Sequence, residues 1–190
     1  MNDLWSEEED SIVDKVVFSE KTIRARVKEL GAQISTEYAG ERLLVVGILR
    51  GAFIFMADLI RQLSMPVSVD FMIVSSYGDS KTSSGTVRII KDVKEDIKDE
   101  NVLIVEDIVD TGYTYQSLKK TLLTRDPASL RVCSLLNKEV NREVDVEVDY
   151  YGFESPDDFL VGYGLDYKEF CRECPFIFVP TAEALSELDE

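Results

Sequence analysis

Glu106-Asp107-Ile108-Val109-Asp110-Thr111-Gly112-Tyr113-Thr114 concentrates more chemistry than any other stretch of this chain. Its carboxylates offer acceptors for sugar hydroxyls. Thr-Gly-x-Thr opening a helix offers backbone N–H groups and hydroxyl donors to a phosphate dianion. A phosphorylated sugar satisfies both halves at once. The stretch follows Val102-Leu103-Ile104-Val105, an apolar run of buried-strand type. In open α/β sheets ligands bind beyond the carboxyl ends of the strands, which is where these residues fall.

Further candidates lie elsewhere along the chain: Arg50-Gly51, Ser76-Tyr77, Lys138, Phe159-Leu160, Asp166 and Arg172. Taken singly, each has an ordinary explanation. Lysine and arginine are surface charges in most proteins, an aromatic is core packing, and an aspartate among Tyr163, Leu165 and Tyr167 is a turn carboxylate. Their order around the Glu106–Thr114 stretch is what lifts them.

The elements that must position these residues are legible from periodicity. Ile23, Val27, Leu30, Ile34 and Tyr38 recur at helical spacing behind Ser19, a residue type that caps helices. Leu43 to Leu49 is a continuous apolar run of strand length, and Gly51 opens a helix-like segment through Gln62. Val67, Val69, Phe71 and Ile73 alternate as in a strand with two unlike faces. Gly78 to Gly85 is a polar loop between apolar strand candidates, of the kind that often carries function. Thr114 to Arg125 has helical composition, Leu130 to Leu136 reads as a strand, and Phe176 to Val179 as a short last one. Strands alternating with helices predict one α/β domain over residues 1–190, built on a mostly parallel sheet. Val144 to Tyr150 and the two chain ends are left to form a smaller cap, drawn from the N-terminal segment and parts of about 139–190.

At 190 residues, with 45 % apolar and 31 % charged side chains, the chain is long enough to bury a core and has globular proportions. Its 37 acidic and 21 basic residues give −16, which repels nucleic acid and anionic lipid at long range. A polyphosphate ligand therefore needs local cations or a divalent metal to reverse the field. No signal peptide or membrane span is visible, and Cys133, Cys171 and Cys174 cannot all pair within one chain, so a reducing cytoplasm is expected. Cys171-Arg172-Glu173-Cys174 is a lone CxxC, and a chain without histidine supplies few further zinc ligands.

Val102 to Thr114 resembles the phosphoribosyl pyrophosphate signature of the type I phosphoribosyltransferases. Leu49-Arg50-Gly51, Ser76-Tyr77-Gly78, Leu136-Asn137-Lys138 and Val161-Gly162-Tyr163-Gly164-Leu165-Asp166-Tyr167 are similar, in the same order, to the hypoxanthine-guanine branch of that family. The likeness runs from about Val16 to Val179. It implies a twisted, mostly parallel sheet flanked by helices, with a small hood. It also implies magnesium as cofactor, phosphoribosyl pyrophosphate and a 6-oxopurine base as substrates, and a homodimer or homotetramer.

The resemblance assigns roles position by position. Glu106 and Asp107 match the pair that holds the ribose hydroxyls and are counted, with Asp166, among the metal residues. Asp110 matches the acid or base at purine N7, and Thr111, Gly112, Tyr113 and Thr114 match the 5′-phosphate cradle. Lys138 matches the donor to the oxygen at purine C6, Phe159 the ring stacked on the base, and Leu160 the backbone that reads its edge. Asp166 matches a magnesium ligand at the pyrophosphate, Arg172 the pyrophosphate cation, and Arg50-Gly51 a tight turn against it. Ser76 and Tyr77 match the tip of a lid. Two positions depart from the pattern: Tyr113 is bulky for a phosphate loop, and Arg50 stands where many relatives carry lysine. The rival readings are a xanthine-preferring enzyme and a non-catalytic regulator on the same fold. The −16 charge argues against an RNA-binding regulator, and Asp110, Lys138 and Asp166 argue for catalysis.

Overall fold

A computed structural model of the chain describes residues 12–76 and 87–186. The main sheet has six strands: β2 (Leu43–Leu49), β3 (Val67–Ser76), β4 (Val87–Lys91), β5 (Asn101–Val109), β6 (Ser129–Asn137) and β7 (Tyr150–Glu154). Their order is β4-β3-β2-β5-β6-β7, and every pairing is parallel except β3 with β4. A separate two-stranded antiparallel sheet pairs β1 (Val13–Phe18) with β8 (Ile177–Pro180).

Side-chain alternation along the central strands divides the core in two. Leu43 and Val45 of β2, with Leu103 and Val105 of β5, face helices α1 (Glu20–Glu37) and α2 (Phe53–Ile60). Val46, Val102 and Ile104 face the opposite way, toward helix α3 (Tyr113–Leu123). α1 begins where Ser19 accepts a hydrogen bond from the Thr22 N–H and buries Ile23, Val27, Leu30 and Ile34. Burial of each such aliphatic side chain stabilises the fold by about 1.5–3 kcal/mol. A short helix, α4 (Ala182–Ser186), ends the described chain.

Two elements differ from the reading of the sequence. β5 does not end at Val105 but continues to Val109, so Glu106 and Asp107 lie within the strand. Val144 to Tyr150 runs beside the main sheet instead of joining the small one: Val146 and Val148 pack on the α3 side and Tyr150 starts β7. The alternation of valine with acids in that stretch is what one apolar face against a sheet requires. The loop of residues 78–85 and Tyr77 lie outside the described residues, as does the side chain of Ser76.

The topology fixes where a site can form. From β2 the chain passes through α2 to β3 on one side, while β5 pairs on the other. The connections therefore diverge between β2 and β5, and the loops leaving these two strands border one crevice. Arg50-Gly51 leaves the first and Asp110-Thr111-Gly112 the second.

Candidate active site

Two cavities open at this crevice. One, of about 210 Å³, is lined by Glu106, Ile108, Val109, Asp110, Thr111, Gly112, Thr114 and Tyr115. The other, of about 420 Å³, is lined by Asp107, Ile108, Asp110, Lys138, Asp157, Asp158, Phe159, Leu160, Leu165 and Asp166. Asp110 borders both, and its Oδ1 is buried without a hydrogen-bond partner among the described residues.

The smaller hollow is shaped by backbone. Gly112 precedes α3 with φ of 90° and provides no capping side chain, so the first-turn N–H groups are left for an anion. A Cβ at Gly112 would lie 2.8 Å from Val146 Cγ2 and 3.0 Å from Val144 Cγ2, so only glycine fits both the conformation and the space. The Thr111 carbonyl accepts from the Glu143 and Val144 N–H groups at 3.1 and 3.3 Å, which fastens the turn from behind. Thr111 and Thr114 line this hollow as the sequence predicts. Tyr113 lines neither cavity, and Tyr115, unforeseen, borders the smaller one.

Alternation along β5 parts the two acids that the sequence reading took as one pair. Glu106 follows Val102 and Ile104 onto the α3 face and lines the small hollow, whereas Asp107 follows Leu103 and Val105 onto the other face and lines the large cavity. Glu106 borders the small hollow, not the cavity that Asp107 and Asp166 line. Glu106 is buried, and desolvation, with the Asp107 charge added, pushes its carboxyl well above the usual carboxylate range. Burial also raises Asp107, against the hydrogen bond from the Ile108 N–H and the attraction of Arg172.

The region around Asp107 is held by close packing and charge. A Cβ on Gly51 would lie 1.5 Å from Asp107 Oδ2, and one on Gly164 (φ 107°) would lie 2.1 Å from the Gly51 carbonyl oxygen. Gly164 lets its backbone meet that of Gly51, and Gly51 leaves the space that the Asp107 carboxylate fills. Arg172 Nη1 donates to the Gly164 carbonyl at 2.8 Å, and Nη2 pairs with Asp166 Oδ1 at 2.8 Å. Glu169, a residue the sequence did not single out, pairs with both Arg50 (2.6 Å) and Arg172 (3.5 Å), and its N–H donates to Asp166 Oδ2. Asp107 and Asp166 are hard oxygen donors bordering one cavity, the donor type magnesium takes. Among the described residues no cluster of three or more His, Cys, Asp or Glu side chains is gathered that could hold a metal, so such an ion would also draw on substrate oxygens and water.

Lys138, buried at the end of β6, reaches the same cavity and pairs with the exposed Asp157 at 3.1 Å. Phe159 is exposed at the cavity's edge and Leu160 is buried beneath it. An apolar ring, a fixed ammonium and backbone polar groups around one space suit a flat heterocycle bearing an exocyclic oxygen. Among the described residues, Cys133, Cys171 and Cys174 are buried and none is in a disulfide. Among the described residues no helix is long and apolar enough to cross a membrane.

Comparison with known proteins agrees with this arrangement. Residues 16–168 match the model of the phosphoribosyl transferase domain. The hypoxanthine phosphoribosyltransferase of Haemophilus influenzae is 51 % identical over 165 residues, covering 85 % of this chain and 92 % of the relative. The hypoxanthine-guanine phosphoribosyltransferase of Bacillus subtilis is 46 % identical over 167 residues, covering 88 % and 93 %. A crystal structure of the hypoxanthine phosphoribosyltransferase of Staphylococcus aureus superposes with a TM-score of 0.91 at 42 % identity, covering 95 % of this chain and 98 % of that one. The crevice between β2 and β5, the turn before α3 and the extent of these matches lead to one conclusion: the chain belongs to the phosphoribosyltransferase family and has its type I fold.

Proposed function

We propose that the protein transfers the 5-phosphoribosyl group of phosphoribosyl pyrophosphate to N9 of hypoxanthine or guanine, releasing pyrophosphate. The observation that carries the base assignment is Lys138, a buried lysine lining the cavity that Phe159 and Leu160 also border. An ammonium there donates to the oxygen at purine C6 and disfavours adenine, whose amino group brings a second donor. The relatives named above carry hypoxanthine and guanine in their names, which agrees with this choice.

The residue roles follow from the two cavities. The N–H groups and hydroxyls of the Thr111–Thr114 turn take the 5′-phosphate, with Glu106 beneath the ribose. Phe159 stacks on the base. Asp110, bordering both cavities, stands where the sugar and the base meet and accepts the proton at N7 as N9 forms its bond to C1′. The C1′–O bond to pyrophosphate breaks in the same substitution, leaving positive character on the ribose and negative charge on the leaving group. Arg172 and Arg50, tied by Glu169 beside Gly51, receive that negative charge. Asp107 and Asp166 would hold magnesium, which when bound neutralises pyrophosphate charge that a protein of −16 otherwise repels. Ser76 and Tyr77 are assigned to the lid on the resemblance alone. A cytoplasmic setting is supported by three buried cysteines held as thiols and not as disulfides. The assembly is proposed as a homodimer or homotetramer, to be measured by sedimentation.

The test is a panel of bases given to purified protein with magnesium and phosphoribosyl pyrophosphate. Pyrophosphate release is expected with hypoxanthine and guanine and absent with adenine, uracil and orotate. Turnover of adenine, or release with xanthine alone, would contradict the assignment.

A further inference from the structure

The smaller hollow presents a problem of charge. Among the described residues its lining includes the carboxyls of Glu106 and Asp110 and no lysine or arginine. The N-terminus of α3 contributes only about half a unit of positive charge. A phosphate dianion set there lacks a full countercharge among the described residues that line the hollow.

Arg142 stands immediately behind. Its Cδ lies 3.2 Å from where a Cβ on Gly112 would be. Nη2 donates to Asn137 Oδ1 at 2.6 Å and to the Val109 carbonyl at 3.3 Å, and Nη1 donates to the Val146 carbonyl at 3.1 Å. One guanidinium thus joins the ends of β5 and β6 to the segment that packs Val144 and Val146 over Gly112. The next two residues continue the contact, since the Glu143 and Val144 N–H groups hold the Thr111 carbonyl. Nε, bonded to the Cδ that approaches Gly112, is buried and makes no hydrogen bond among the described residues. The terminal nitrogens are committed to the fold, and the positive charge is left beside the turn.

We propose that Arg142 is a positioning residue for the 5′-phosphate: it fixes the shape of the Thr111–Thr114 turn and supplies from behind the charge that the hollow lacks. It does not touch the substrate. The proposal rests on the reading that places the 5′-phosphate in this hollow, and its test separates the two.

Arg142→Met, Arg142→Lys and the double variant Thr111→Val/Thr114→Val are compared with the parent protein. Calorimetry measures binding of ribose 5-phosphate and, separately, of magnesium pyrophosphate; thermal melts check folding. Arg142→Met should weaken ribose 5-phosphate by at least about tenfold, through the lost charge behind the turn and the loosened turn itself, with pyrophosphate affinity within about twofold. Arg142→Lys should recover part of that loss because it keeps the charge. In turnover, the KM for phosphoribosyl pyrophosphate should rise while the KM for hypoxanthine stays level. If Arg142→Met does not fold, Arg142→Lys decides: a loss confined to ribose 5-phosphate supports the role, and equal loss of both ligands overturns it. Unchanged ribose 5-phosphate binding in Arg142→Met, with the threonine pair weakening it, also overturns the role of Arg142. Unchanged binding in all three overturns the placement of the phosphate instead.

Discussion

The two cavities flanking β5 are built by different means. The hollow before α3 is built from backbone: a glycine with φ of 90°, uncapped N–H groups and a carbonyl fastened from behind. The larger cavity is built from side chains brought from distant parts of the chain, with Lys138, Phe159 and Asp166 converging on Asp107. A backbone site suits the part of a substrate that never varies. A side-chain site can be retuned by single substitutions, and so suits the proposed choice of base. Asp110 borders both, the position that the proposed proton handling between sugar and base requires.

Substitutions should separate these three roles. The largest effect is expected for Asp110→Asn, which removes proton handling and leaves the phosphate turn intact. Turnover should fall by roughly 10²–10⁴-fold, with binding of phosphoribosyl pyrophosphate little changed; equal loss in both would contradict the role. Gly112→Ala comes next, because its methyl group meets Val144 and Val146 in a backbone conformation that L side chains rarely adopt. The KM for phosphoribosyl pyrophosphate should rise by about tenfold or more, equivalent to roughly 1.4 kcal/mol, while the KM for hypoxanthine holds. Phe159→Ala should show the reverse pattern, with base affinity lower by about 1–3 kcal/mol and ribose 5-phosphate binding unchanged by calorimetry.

The smallest effect concerns stability. Glu106 has its carboxyl pKa raised by burial, so the folded state binds a proton that the unfolded chain has released. Its stabilising contribution is complete below the ordinary glutamate pKa and is lost as pH rises through the raised value. Glu106→Gln should therefore melt above the parent at neutral pH, with the gap closing as the pH is lowered. At this chain length each kcal/mol shifts the melting temperature by about 2–4 °C. A gap that widened in acid would reverse the sign.

The contrast between the cavities also explains what was legible in the sequence. The phosphate turn is contiguous, so Thr111-Gly112 and Thr114 announce it directly. The runs Leu43–Leu49 and Leu130–Leu136 are apolar enough to be read as buried strands, and the structure has them at β2 and β6. Lys138, Phe159, Asp166 and Arg172 carry no local signal and were reached only through the resemblance of the whole chain; the structure brings the first three to one cavity and pairs Arg172 with Asp166. Glu106 and Asp107 look like a unit when β5 is thought to stop before them. Extending the strand to Val109 sends them to opposite faces. Arg142 and Glu169 were invisible because a charged residue in a polar stretch reads as a solvated surface. Their meaning comes from partners about 30 or more residues distant, such as Val109 for Arg142 and Arg50 for Glu169.

The central claim is that one substrate spans both cavities, its phosphate on the turn before α3 and its base at Lys138. A crystal structure of the protein with guanosine 5′-monophosphate tests it most directly. The phosphate should lie on the N–H groups of the Thr111–Thr114 turn, the oxygen at purine C6 within hydrogen-bond reach of Lys138 Nζ, and the ring against Phe159. A phosphate seated instead beside Arg50 and Arg172, or a base pointing away from Lys138, would contradict it.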